Sequence, residues 1–209
     1  MNTVLVLASA SPRRFDLLSQ LGYQPHRLPV DIDESVALHE QPVEYAKRMA
    51  REKLDAAMDQ LKGRTEIAGL ALSNARLIVL AGDTICIKGS EILTKPVDFP
   101  DFQRMMGLMS GSSHTVLSSF ALGELSDGVV TRLNLDVVKT DVHFKELSAQ
   151  ELAAYWDTEE PADKAGGYGI QGLGAVFVER IEGSYSNVVG LPLMEVHSAL
   201  KSAGVASAL

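Results

Sequence analysis

The sequence predicts one α/β domain, residues 1–209, in which a mixed sheet supports two lobes around a central cleft. Short apolar runs of strand length alternate with amphipathic stretches of helical periodicity. No linker, internal repeat or low-complexity tract divides the chain. A chain of 209 residues with 46% hydrophobic residues is also long enough to bury a substantial core. These three observations favour one α/β unit over a disordered or multidomain protein.

The first half of the chain gives five elements in order. Residues 4–8 form an apolar run that predicts a first, buried strand. Ser11 is a good N-cap for a helix over 12–21, which Gly22 ends. A long amphipathic helix begins at Pro42, and 62–76 is expected to be a loop. Residues 77–87, "LIVLAGDTICI", predict a central strand.

The second half continues the alternation. A short strand precedes "TKP", and a helix covers 100–109. Two long strands, 114–125 and 129–144, are joined by "SDG" as a hairpin. Ser148 and Glu151 form a capping box at the start of the next helix. A glycine-rich loop, a strand over 175–181, a polar loop and a last helix near Pro192 complete the order.

Composition excludes several classes of partner. The net charge of -8 argues against general binding to nucleic acid or to an anionic membrane, so any bound anion is expected to be small. Cys86 is the sole cysteine, which excludes an internal disulfide and fits a reducing, cytoplasmic location. No apolar stretch is long enough to span a bilayer.

Arg13 and Arg14 occupy the first turn of the first helix, where the helix dipole disfavours positive charge. One interpretation is that the helix N-terminus, the Ser9 and Ser11 hydroxyls and the two guanidinium groups bind a polyphosphate. The alternative is a solvated helix end in which Arg14 pairs with an acid such as Asp16.

Asp83 interrupts the apolar central strand, where burying a carboxylate is costly unless it is paired, protonated or bound to a metal. The alternative is that the strand ends at Gly82 and Asp83 begins a turn. Lys53 falls within the inward stripe of the second helix, so it either snorkels outward or reaches a cleft that holds an anion. Lys95, in "LTKP", is similar to an ordinary solvated loop cation when taken alone.

The segment "AGGYGIQGLG", residues 165–174, contains five glycines around Ile170 and Gln171. So many glycines indicate close backbone approach or positive φ angles. The Gln171 amide offers one donor and one acceptor, the pair that matches the imide edge of uracil or thymine. "DIDES" adds Asp31, Asp33 and Glu34, which either form an acidic loop or help hold a divalent cation. Acids beside phosphate-binding cations suggest metal-assisted attack of water on a phosphate chain, without saying which phosphorus is attacked.

The motifs "SASPRR", "DIDE", "REK", "AGDTI", "TKP" and "KAGGYGIQGLGAVFVERIEGSYSNVVGLPL" resemble, in this order, the Maf family of nucleotide pyrophosphatases. The resemblance implies a fold similar to that of the inosine triphosphate pyrophosphatases, a homodimer, a divalent metal (Mg²⁺ or Mn²⁺) and hydrolysis of a nucleoside triphosphate to the monophosphate and pyrophosphate. It implies Asp83 as proton acceptor and metal contact, and Glu34 as a second acid near the metal. The phosphates would be held by Ser9, Arg14, Lys53 and Lys95.

Arg13, Thr84 and Gln171 resemble the specificity positions of the family branch that acts on dTTP and UTP, and modified pyrimidine nucleotides are expected substrates too. The branch that acts on 7-methyl-GTP carries Gln after the catalytic aspartate and Glu in place of the loop glutamine. Two alternatives to a dTTP/UTP pyrophosphatase stay open. One is a 7-methyl-GTP pyrophosphatase of the same family, and the other is a nucleotide-binding regulator of cell division that does not turn its ligand over.

Overall fold

Seven strands of this computed structural model form one mixed sheet within the described residues, which are 2–67, 69–72 and 75–209. The strands are β1 (Asn2–Ala8), β2 (His26–Arg27), β5 (Ala75–Lys88), β6 (Glu91–Leu93), β7 (Ser113–Ser126), β8 (Val129–Phe144) and β9 (Val178–Glu182). A separate antiparallel pair is formed by β3 (Glu66–Ile67) and β4 (Leu70–Ala71). The helices are α1 (Pro12–Gln20), α2 (Pro42–Leu61), α3 (Phe99–Met109), α4 (Ala149–Trp156), α5 (Tyr185–Val189) and α6 (Leu193–Ser202).

Strand β5 is the centre of the sheet. It pairs in parallel with β1 and antiparallel with β7, and the order across the sheet is β2-β1-β5-β7-β8-β9, with β6 also paired to β5. Residues of β5 from Leu77 to Gly82 are all buried, because both faces of the sheet are covered by helices. The mixed α/β class predicted from the sequence is confirmed by this arrangement.

Helices cover the two faces of the sheet. Successive side chains of β1 point to opposite faces, so this one strand contributes to the core on both. Val4 and Val6 pack in a cluster with α2, while Leu5 and Leu7 pack on the other face with α1 and α6. A third cluster joins α3 and α4 to the ends of β7 and β8. The sheet is therefore packed on both faces. None of the described helices is both long and apolar enough to cross a membrane.

Several boundaries differ from the prediction. The region 62–76 contains the β3–β4 pair, although residues 68, 73 and 74 lie outside the described part. The predicted strand over 175–181 begins only at Val178, because Leu173–Phe177 forms a 3-10 helix. The predicted polar loop before Pro192 contains α5, a five-residue helix whose N-cap Ser184 accepts a hydrogen bond from the Asn187 amide. By contrast, the capping box of Ser148 and Glu151 is confirmed.

Candidate active site

A cleft of about 820 Å³ lies where the β1–α1 connection, the middle of β5 and the glycine-rich segment meet. This volume is in the range of pockets that bind small molecules. The cleft is lined by all nine residues to which the family resemblance gave a role: Ser9, Arg13, Arg14, Glu34, Lys53, Asp83, Thr84, Lys95 and Gln171.

Asp83 and Glu34 face each other across one ammonium group. Lys53 Nζ lies 2.7 Å from Asp83 Oδ1 and 2.6 Å from Glu34 Oε1. Strand β5 continues past Asp83 to Lys88, and Asp83 pairs in register with Ser119 of β7, so the alternative of a strand end at Gly82 is wrong. Lys53 is only 9% exposed, so the alternative of outward snorkelling is wrong too. The Asp83 side chain is 13% exposed, and its carboxylate is paired, as so little exposure to water requires.

The charge of this cluster acts on its neighbours. Partial burial would raise the pKa of Glu34, but the hydrogen bond and charge of Lys53, with the charges of Lys95 and Arg14, bring that pKa below its ordinary value. Burial and the two carboxylates raise the pKa of Tyr45 to about 12. The Tyr45 hydroxyl donates to the Glu34 carbonyl oxygen at 2.8 Å, so α2 also holds the backbone of the acidic loop.

Arg14 turns into the cleft from the start of α1. Its Nε donates to the Gly190 carbonyl oxygen (2.8 Å), its Nη1 to Ser9 Oγ (3.2 Å) and its Nη2 to Thr84 Oγ1 (3.0 Å). Burial lowers the pKa of Arg14, and the charge of Asp83 opposes that shift. The solvated helix end, with Arg14 paired to Asp16, is therefore not formed among the described residues.

Gly82 packs closely against the backbone of the neighbouring strand β7. A Cβ at Gly82 would lie 3.0 Å from the Ser119 carbonyl oxygen and 3.7 Å from Arg14 Nε. The ladder between β5 and β7 continues through Gly82 opposite Phe120, without a bulge. Gly82 therefore serves the close packing of β5 against β7.

The Thr84 hydroxyl is held by protein groups. Besides accepting from Arg14, it lies 2.8 Å from Ser118 Oγ and 3.2 Å from the Gly190 carbonyl oxygen. Ser118 Oγ donates to the carbonyl oxygen of Asn187 at 2.7 Å. Ser118 and Asn187 were missed from the sequence, because a serine in an apolar strand and an asparagine in a polar loop carry no pattern that points to a site.

Further cations lie along the same cleft. Arg13 is half-buried, and its charge helps Lys164 to lower the pKa of Asp163, which also lines the cleft. Lys95 is exposed at the exit of β6. Lys164 also lines the cleft, where its Nζ donates to the Glu160 carbonyl oxygen (2.9 Å) and pairs with Asp163 (2.6 Å). Lys164 was not singled out from the sequence, although its place two residues before the first glycine of the run is a signal that could have found it.

Gln171 is exposed and lines the cleft from the glycine-rich segment. Two positive φ angles, 72° at both Gly166 and Gly167, turn the backbone there, as the glycine content predicts. Asp31 and Asp33, which the sequence grouped with Glu34, do not line the described cleft. The Asp33 carboxylate instead accepts a hydrogen bond from the Ser35 amide at 2.9 Å.

Comparisons with known proteins agree on the family. The family described as Maf-like protein matches residues 4–203. A protein of Vibrio cholerae serotype O1 named dTTP/UTP pyrophosphatase is 45% identical over 196 residues, which cover 94% of this chain and 96% of the relative. A protein of the same name from Hahella chejuensis is 45% identical over 201 residues, 96% of this chain and 92% of the relative.

One solved structure, a nucleoside-triphosphatase / dITP/XTP pyrophosphatase from Mycobacterium abscessus, aligns over 98% of this chain and 97% of its own. Its identity of 14% and TM-score of 0.41 are too low to support a conclusion about this protein. The match to the family over nearly the whole chain, together with relatives at 45% identity, is decisive. The chain belongs to the Maf family.

Proposed function

We propose that this protein hydrolyses dTTP and UTP to the nucleoside monophosphate and pyrophosphate, and that modified pyrimidine nucleotides are substrates as well. The observation that carries the proposal is the pairing of Asp83 and Glu34 through Lys53 in a cleft that Arg14 and Lys95 also line. Carboxylates beside several cations suit a polyphosphate substrate better than a neutral one. The relatives named dTTP/UTP pyrophosphatase support the same reaction.

Phosphate binding falls to the β1–α1 side of the cleft in this proposal. Ser9 is buried and its Oγ accepts from the Ser11 amide (3.1 Å) and from Arg14, which fixes it beside the helix N-terminus. Arg14, Lys95 and Lys53 would neutralise the triphosphate oxygens, and the amides at the start of α1 add donors.

Glu34 and Asp83 would hold the divalent cation, Mg²⁺ or Mn²⁺. Among the described residues, no group of three or more His, Cys, Asp or Glu side chains is placed to bind a metal. Two carboxylates together with phosphate oxygens are nevertheless a donor set that Mg²⁺ favours, so the residues fit a cation that is bound with the nucleotide. When bound, the cation supplies positive charge to the phosphate chain and makes a nearby water more acidic.

Asp83 is the proton acceptor in the reaction that we propose. Water attacks the α-phosphorus, its proton passes to Asp83, the bond from the α-phosphorus to the bridging oxygen breaks, and pyrophosphate leaves. In the free protein, Lys53 Nζ lies 2.7 Å from Asp83 Oδ1. Because a base must reach the attacking water, the ammonium must share or yield its place on Asp83 when substrate binds.

Base recognition falls to Gln171, with Arg13 and Thr84 as further specificity positions. The exposed Gln171 amide can pair with the donor and acceptor of a pyrimidine imide edge. Thr84 contributes through Arg14, which it holds by a hydrogen bond of 3.0 Å. A site of this kind can reject a wrong base strongly, because the wrong base leaves polar groups unpaired.

The homodimer and cytoplasmic location that the resemblance implies are part of the proposal.

The experiment that tests the proposal compares Gln171→Glu with the parent protein on UTP and 7-methyl-GTP. Monophosphate products are separated by chromatography, and the reaction is run in ¹⁸O water. We expect the parent to prefer UTP, the variant to lose most of that preference, and the label to appear in the monophosphate. A preference for 7-methyl-GTP in the parent would favour the other branch of the family. Binding without product would favour a regulator that does not turn its ligand over.

A further inference from the structure

Glu160 binds the glycine-rich segment on the C-terminal side of Gln171. Its Oε2 accepts from the Leu173 amide (2.9 Å), and its Oε1 accepts from the Gly174 amide (3.2 Å) and from the Tyr155 hydroxyl (2.7 Å). The sequence analysis did not single out this residue. One carboxylate therefore joins two backbone amides of the loop to a side chain of α4.

Tyr155 binds the same segment on the N-terminal side of Gln171. Its hydroxyl oxygen accepts a hydrogen bond from the Gly169 amide at 3.0 Å, while its proton is donated to Glu160. Residues 170 and 171 are thus bracketed by hydrogen bonds at 169 and at 173–174, all of which lead to one Tyr155–Glu160 pair. This is how a segment so rich in glycine can present Gln171 in one place.

The glycines of the segment fit around this pair. A Cβ at Gly172 would lie 2.4 to 2.5 Å from the carboxylate atoms of Glu160, and a Cβ at Gly174 would lie 2.7 Å from the Tyr155 hydroxyl oxygen. Real Cβ atoms do not approach other atoms so closely. A side chain at either position would displace the Glu160 carboxylate or the Tyr155 hydroxyl, so glycine at 172 and 174 fits these contacts.

The pair is itself fixed to the core. Tyr155 is 4% exposed, and its ring packs edge-on against Phe177 at 5.0 Å between centroids. Burial would raise the pKa of Glu160, but the Leu173 amide, the Tyr155 hydroxyl, the Gly174 amide and the charge of Lys164 bring that pKa below its ordinary value. Glu160 is therefore ionised near neutral pH, and its carboxylate accepts hydrogen bonds from all three of these donor groups.

We infer that Glu160, acting through Tyr155 and the loop amides, is a positioning residue that sets the base selectivity of the cleft. Glu160 is not a catalytic residue, because it acts on Gln171 only through the backbone. The inference rests on the proposed function, in which Gln171 recognises the pyrimidine. A loop that is free to move would pay an ordering cost on binding every base and would lose the geometry that distinguishes one base from another.

The test uses Glu160→Gln, Glu160→Ala and Tyr155→Phe in the full chain, with Glu179→Gln as a matched control. Glu179 is an exposed acid on β9, so its variant changes the charge without touching the loop. Glutamine at 160 keeps one acceptor oxygen but turns an amide group toward the Leu173 amide, whereas alanine leaves all three donors unpaired. Tyr155→Phe removes the hydroxyl and keeps the ring. If Glu160→Ala fails to fold, this variant still tests the hydrogen bonds that hold the loop on either side of Gln171.

Two readouts are measured for each variant: Kd by calorimetry for the α,β-methylene analogues of UTP and GTP, and kcat and KM for UTP. We expect Glu160→Ala to lose about tenfold in the ratio of uridine to guanosine affinity, the equivalent of roughly 1.4 kcal/mol. Glu160→Gln and Tyr155→Phe lose less, and Glu179→Gln loses none. The loss in turnover falls mainly on KM, and circular dichroism shows native secondary structure.

Two failures are distinguishable. If the parent protein binds both analogues equally, the proposed pyrimidine specificity fails and the inference is overturned with it. If the parent discriminates and the Glu160 and Tyr155 variants discriminate as well as it does, only the inference is overturned. A loss of kcat for UTP with the ratio of uridine to guanosine affinity intact would also overturn it, since that result indicates a merely structural role.

Discussion

Replacing Lys53 with methionine removes the cation that lies between the two carboxylates of the cleft. Methionine keeps most of the volume of the lysine stem, so the packing of α2 changes little. The Lys53 and Asp83 side chains are 11% and 13% exposed, whereas that of Glu34 is 50% exposed. Removing one partner of a buried ion pair costs about 3 to 5 kcal/mol. Because Glu34 is half-exposed to water, we expect a loss near the lower end, about 3 kcal/mol of unfolding free energy.

The assay is urea unfolding at pH 7.5, followed by circular dichroism, for Lys53→Met, Asp83→Asn and the double variant. The double variant should lose less than the sum of the single losses, because Lys53→Met does less harm once Asp83 carries no charge. Lys47→Met is the matched control on the same helix: its pair with Glu44 is 36% and 65% exposed, so we expect a loss under about 1 kcal/mol.

Mn²⁺ extends the same test to the metal site. The ammonium of Lys53 occupies one oxygen of each carboxylate, so it competes with a divalent cation in the free protein. Without nucleotide, Mn²⁺ at one hundred times its dissociation constant should stabilise Lys53→Met by about 2.7 kcal/mol. The same Mn²⁺ concentration should stabilise the parent by less. The reasoning is refuted if Lys53→Met is as stable as the parent, or if Mn²⁺ stabilises both proteins equally.

Three further changes test other parts of the site and the core. Asp83→Asn should abolish turnover and leave the fold intact, as product assays and circular dichroism will measure; near-normal activity with metal bound would exclude Asp83 as the proton acceptor. Arg14→Lys should lower kcat/KM for UTP by about a hundredfold, because lysine cannot reproduce the three directed hydrogen bonds of the guanidinium; a loss under threefold would contradict its role in phosphate binding. Burial lowers the pKa of His114 to about 3, so between pH 7 and pH 5 the unfolded chain binds more protons than the folded protein, and stability falls as pH falls. His114→Gln should remove about 2 kcal/mol of that pH dependence in urea unfolding at the two pH values, and an unchanged slope would show that His114 is not its source.

Local patterns predicted the parts of the fold that depend on local physics. The apolar run of β5 and the capping box of Ser148 and Glu151 each depend on residues that are close in sequence, and both are present. Helix α5 was missed because its five residues are too few to show a helical period. The 3-10 helix at Leu173–Phe177 was missed because its apolar residues also fit a strand, while the amides of Leu173 and Gly174 bind Glu160.

In the candidate site, too, single residues could be predicted from the sequence, whereas the contacts between them could not. The sequence marked Asp83 and Lys53 as polar residues in apolar patterns, but it could not say that they meet, since 30 residues separate them. It could not find Ser118 either, because this serine is 34 residues from its partner Thr84 and lies on another strand. Contacts of this kind follow from the order of strands in the sheet, which no single segment encodes.

The central claim is that this cleft releases pyrophosphate from pyrimidine nucleoside triphosphates. It is tested most directly by measuring phosphate from dTTP, UTP, CTP, GTP and 7-methyl-GTP with Mg²⁺ or Mn²⁺, with and without added inorganic pyrophosphatase. We predict that phosphate appears only with the added enzyme, and mainly from dTTP and UTP. Phosphate released without it would mean attack at the terminal phosphorus and would contradict the proposed reaction. The absence of product from every nucleotide would contradict catalysis itself.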